Sequence, residues 1–132
     1  MNVLEHIKDD TKAISNFYQL LKPKGKLILI VPAFSWLYGS VDKSDHHFRR
    51  YTKSSIKEII NNSGLKILDL KYMNFLGIFG WYLNGKILRK EVVHNGMLSF
   101  YDKVIPLIFK IEAIIPPPFG LSLFCVAEKN DY

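Results

Sequence analysis

The sequence predicts an α/β layered domain in which helices pack on a small sheet. Three observations predict it. An unbroken apolar run, Leu27 to Val31, follows the turn Lys22-Pro23-Lys24-Gly25 and reads as a strand buried on both faces. Helical apolar spacing precedes and follows that strand. Two further strand-like runs lie downstream, so the order is helix, strand, helix, strand, helical insertion, strand.

The first helix opens at Asp9-Asp10, whose carboxylates accept free amides of a first turn. Ile14, Phe17, Tyr18 and Leu21 follow at i, i+3, i+4 and i+7 and form one apolar face. Pro23 and Gly25 end it. Pro32 is expected to stop the strand. Residues 33–51 show no clean period and read as a long surface loop holding a short helix; loops of this length are usually functional or disordered. Thr52 caps the next helix, Ile56, Ile59 and Ile60 are its buried stripe, and Gly64 stops it. Leu65 to Tyr72 reads as the second strand. Residues 75–90 are apolar and then basic. Residues 97–115 are helical, with Phe100, Val104, Leu107, Ile108 and Ile111 on one side and a kink expected at Pro106. Pro116-Pro117-Pro118 ends this insertion, and Leu121 to Ala127 forms the last strand.

Composition narrows the functional classes. The 132 residues are 48% hydrophobic and 14% aromatic, which supports a packed core and argues against disorder. Cys125 is the only cysteine, so an intrachain disulfide and a cysteine-rich zinc finger are excluded. No apolar run reaches the ~18 residues of a membrane span, and the first residues carry no secretory pattern. A cytoplasmic protein, peripheral at a membrane at most, is expected. The net charge of +6 favours anionic partners. Lysines are dispersed rather than gathered in a stripe, so nucleic acid is not among the expected partners.

Two stretches carry a resemblance. Asn2-Val3-Leu4-Glu5-His6-Ile7 precedes the first helix, and Leu20 to Pro32 reads Leu-Leu-Lys-Pro-Lys-Gly-Lys-Leu-Ile-Leu-Ile-Val-Pro. Together they are similar to the second half of class I S-adenosylmethionine-dependent methyltransferases, with Lys24 where that family usually has glycine. Gly39-Ser40-Val41-Asp42, His47 to Thr52 and Asn74-Phe75-Leu76-Gly77 resemble a subgroup found near glycan-synthesis enzymes. The resemblance implies a partial Rossmann-like sheet. Residues 1–132 would be the C-terminal portion of the domain, with a helical insertion at about 75–118. It also implies transfer of a methyl group to a small-molecule, lipid or sugar acceptor. The family's glycine-rich cofactor loop belongs to its first half, and no pair of glycines here forms G-x-G. The resemblance thus implies an incomplete site for S-adenosylmethionine, completed by a second copy or a separate N-terminal half. The alternatives are a non-enzymatic module that dimerises or complements a partner, and a protein at a membrane surface.

Candidate site residues follow. By the resemblance, Asn2, Val3 and Leu4 lie beside the cofactor, and Glu5 and His6 beside its methionine end and the acceptor. Methyl transfer needs alignment and, for some acceptors, proton removal, which a histidine suits. Glu5-His6 also reads simply as a helix-entry loop. His46, His47, Arg49, Arg50 and Tyr51 combine bidentate donors with aromatics and would bind a phosphate, carboxylate or sugar acceptor. The same run also reads as a solvated basic loop, with Asp42 and Asp45 near enough to pair with the arginines. No metal site is expected, because adjacent side chains such as His46 and His47 diverge. Trp81, Tyr82, Lys86, Arg89 and Lys90 read either as a helix seated in a bilayer interface or as a lid helix with snorkelling cations.

Overall fold

The computed structural model describes residues 3–82 and 95–130. Eight elements follow in order: α1 (Asp10–Leu20), β1 (Lys26–Pro32), α2 (Ser40–Ser44), α3 (Lys53–Asn62), β2 (Leu65–Met73), α4 (Gly77–Tyr82), α5 (Asn95–Ile114) and β3 (Ser122–Lys129). Single 3-10 turns lie at Leu4–His6 and Ser35–Leu37.

The helix starts follow from their caps. Asp9 accepts from the Lys12 amide at 2.9 Å and opens α1. At α3 the capping is reciprocal. Thr52 Oγ1 accepts from the Ser55 amide at 3.1 Å, and Ser55 Oγ accepts from the Thr52 amide at 3.0 Å. Gly64 takes φ +85° after α3, a left-handed conformation that glycine adopts without a Cβ clash. Lys24 takes φ +60° in the turn before β1 and keeps the backbone shape that glycine favours there.

The sheet has the order β1-β3-β2, and β3 is antiparallel to both neighbours, so β1 and β2 run parallel. Register places Leu27, Leu29 and Val31 beside Ala127, Cys125 and Leu123 on one face. Ile14 of α1 and Ile56 and Ile60 of α3 close over that face, and all three are fully buried. Full burial of each such side chain contributes about 1.5–3 kcal/mol. The far end of β3 also fastens α1: Lys129 Nζ donates to the carbonyls of Tyr18 and Leu21, both at 2.9 Å.

Two expectations need correction. β1 is buried on one face, not two: burial alternates along it, and Ile28 is 50% exposed. Both helices that pack on the core face of the strand lie on the same side of the sheet, and the opposite face of β1, which carries Ile28 and Ile30, is only partly covered. Pro32 does end the strand, as expected: it is the last residue of β1 and pairs with Ser122. α5 continues through Pro106, and its expected apolar stripe is divided. Leu107 and Ile111 are exposed, while Val104, Ile108 and Glu112, spaced four apart, turn inward. Glu112 is the anchor: its carboxylate accepts from the Asn74 amide at 2.7 Å and the Phe75 amide at 2.8 Å.

Candidate functional site

The loop between β1 and α3 is closed at its base. The Phe34 amide donates to the Tyr51 carbonyl and the Tyr51 amide to the Pro32 carbonyl, each at 2.8 Å. Tyr51 is buried, and its hydroxyl lies 3.0 Å from Asp10 Oδ2 and 3.2 Å from the Leu4 carbonyl. Burial first, then the Asp10 carboxylate, pushes the Tyr51 phenol well above its ordinary range. Arg49 donates to the carbonyls of Ile7 and Lys8 and pairs with Asp10 at 2.7 Å. These bonds hold the loop against the segment that carries Glu5 and His6. The Phe48 amide adds a bond to the Glu5 carbonyl at 2.8 Å.

Asp42 on α2 lies at the centre of the loop and is completely buried. Its Oδ1 accepts from Arg50 Nε at 2.8 Å and faces His47 Nδ1 at 2.9 Å. Its Oδ2 accepts from the Gly39 amide at 3.0 Å and lies 3.4 Å from Trp81 Nε1 of α4. Arg50 is buried too; it donates to the Ala33 carbonyl at 3.0 Å and stacks over the Trp81 ring at 4.6 Å. Burial alone would raise the Asp42 pKa. The bonds from Arg50 and His47, the Arg50 charge and the Gly39 amide outweigh it and hold the carboxyl below its usual value. Burial, partly offset by Asp42, lowers the Arg50 pKa, and the guanidinium stays charged. An ionised carboxylate only accepts, so His47 Nδ1 carries the proton it donates to Asp42.

A cavity of about 310 Å³ opens beside this network, at the carboxyl end of β1. Its walls include Glu5, His6, His47, Arg50 and Trp81, over a floor of β1 and the first residues of β3. The His6 and His47 rings meet edge to face, 4.7 Å between centroids. Glu5 is only 4% exposed, and its Oε2 is buried with no hydrogen-bond partner among the described residues. Glu5, His6 and His47 each bring one donor atom within 4.8 Å of the others, a set able to hold a metal ion.

The fold thus gathers Glu5, His6, His47 and Arg50 from the expected residues. Arg49 and Tyr51 serve the loop's attachment instead of lining the cavity. His46 is exposed with φ +58°, and His46 and His47 diverge. Leu4 is buried in the core, Val3 is exposed, and Asn2 lies outside the described residues, as do Lys86, Arg89 and Lys90. Trp81 belongs to the cavity wall, while Tyr82 is exposed on α4. Two features escaped the sequence. Asp42 was legible as a partner for arginine but not as a hub, and Trp81 carried no signal linking it to residue 42.

Residues 1–70 match a family model described as a methyltransferase domain. The chain belongs to that family. Its fold agrees: a protein of Bacillus halodurans C-125 assigned as a methyltransferase superposes with a TM-score of 0.55 at 18% identity. The match covers 98% of this chain and 67% of that one. No curated protein matches in sequence. The domain is therefore a class I methyltransferase-like domain with a partial Rossmann-like sheet. Members of this family generally use S-adenosylmethionine. Among the described residues no glycine-rich loop follows a strand.

Proposed function

We propose that this chain supplies the acceptor side of a methyltransferase site, and that the whole site transfers a methyl group from S-adenosylmethionine to a small-molecule, lipid or sugar acceptor. The observation that supports it is the cavity at the carboxyl end of β1, where ligands sit in open α/β sheets. Arg50 and the two histidines suit an oxygen-bearing acceptor. The donor's adenosine and ribose contacts come from polypeptide outside this set of residues, either a second copy or a separate N-terminal half. Calorimetric titration of S-adenosylmethionine into this chain is expected to show no binding or very weak binding. Tight binding at one per chain would overturn the acceptor-half reading.

A second reading has its own observation. The face of β1 opposite the core carries half-exposed Ile28, and such a face favours association with another polypeptide. An interaction module that dimerises or complements a partner would use that face. No helix among the described residues is long and apolar enough to cross a membrane.

A further inference from the structure

We infer that Glu5, His6 and His47 form a binding site for a divalent transition-metal ion, with zinc the best match to the donor set. The inference stands on geometry alone and does not depend on the methyl-transfer reading. Two imidazoles and one carboxylate are a recurrent zinc ligand set that leaves a fourth position open. Here one donor atom from each residue lies within 4.8 Å of the other two.

Three features of the surroundings point to an ion. The first is Glu5 Oε2, a carboxylate oxygen buried with no hydrogen-bond partner among the described residues, on a side chain that lines the cavity. A buried anion without a partner is costly, and a cation coordinated there removes the cost. The second is the bond from His47 Nδ1 to Asp42 at 2.9 Å. A metal-ligating histidine almost always gives its other ring N–H to a carboxylate or carbonyl, which sets the tautomer and aims the remaining nitrogen. Asp42 is rigidly held by Arg50 and the Gly39 amide, so it is a positioning residue for His47. The third is His6, the exposed member of the set, which has room to move. Ligands 2.0–2.1 Å from a tetrahedral zinc stand about 3.3 Å apart. Binding would draw the three donor atoms together from within 4.8 Å, and the exposed His6 ring is the member freest to move.

The open position would face the 310 Å³ cavity lined by the same three residues. An ion there binds a water or an oxygen of a molecule in the cavity and lowers the pKa of that oxygen.

Zinc chloride titrated by calorimetry into the metal-stripped chain tests the site. One ion per chain is expected. Cobalt(II) should give the intense visible absorption of a low-symmetry, four- or five-coordinate ion. Glu5→Gln, His6→Ala and His47→Ala should each weaken zinc binding at least about 10-fold. Asp42→Asn, which leaves all three ligands in place, should weaken it about 10–100-fold and shift the cobalt spectrum. Circular dichroism of each variant separates loss of the site from loss of the fold, and His6→Ala, at an exposed position, is the variant that keeps the test decisive. Absence of one-to-one binding, or binding that survives both His6→Ala and His47→Ala, would overturn the inference.

Discussion

Asp42 is the residue on which fold and site meet. It is wholly buried, and its partners come from the α2 start, the histidine pair, the arginine pair and α4. Removing one partner of a buried ion pair leaves the other charge stranded. Asp42→Ala is therefore expected to cost about 3–5 kcal/mol, read by urea or thermal unfolding. The same carboxyl sets an acid limit. Its folded pKa is below the ordinary value of 3.8, so the stability it contributes is present above pH 3.8 and is lost as pH falls through the lower folded value. Thermal melts from pH 5 down to pH 2 should show that loss, and Asp42→Asn should flatten the curve in that window. An unchanged acid profile in the variant would remove Asp42 from the account. The pairing of Asp42 with an arginine was legible from their closeness in sequence. The choice of Arg50 over Arg49 was not, because Arg49 is drawn to Asp10, distant in the chain, and no local pattern reports that contact.

Elements were the most legible scale, since their signals are local. Caps, apolar spacing and the breakers Pro23, Gly25 and Gly64 placed α1, α3 and the three strands. Thr52→Ala tests the reciprocal cap of α3. About 1 kcal/mol of stability should disappear in denaturant melts, with no change in cobalt or zinc binding if the helix end is all that is touched. What the pattern could not reveal was depth. An apolar run such as Leu27 to Val31 looks the same whether both faces are covered or one. In α5 the apolar positions were read correctly as helical, yet which side docks is decided by Glu112, a polar residue bound to two amides of the turn after β2. Gly120 illustrates the same point at close range: a Cβ there would stand 2.2 Å from the Met73 carbonyl oxygen, a crowding that no sequence pattern announces.

At the scale of the molecule, one sheet face is packed by α1 and α3 and the other is partly open. Light scattering at rising concentration is expected to show self-association. Ile28→Lys, half exposed and outside the cavity lining, should reduce it while costing no more than about 0.5 kcal/mol of stability. A chain that stays monomeric at high concentration would count against the interaction reading. The candidate site was half legible at this scale. Glu5-His6 and the segment around His47 each stood out, but their meeting depends on Arg49 and the Phe48 amide folding the loop back across the amino-terminal segment.

The position of β3 carries a consequence for how the molecule comes into being. Among the described residues β1 and β2 share no ladder; each pairs with β3, which follows both in the sequence. Until residues 122–129 emerge, the two earlier strands have no neighbour in this sheet, and the apolar sides of α1 and α3 have no finished surface to rest on. Assembly of this sheet must therefore wait for β3 and join segments about a hundred residues apart, from Lys26 to Glu128. Contacts of that range make folding slow and leave the nascent chain dependent on protection. Loss of β3 would abolish the whole sheet, not just trim one strand.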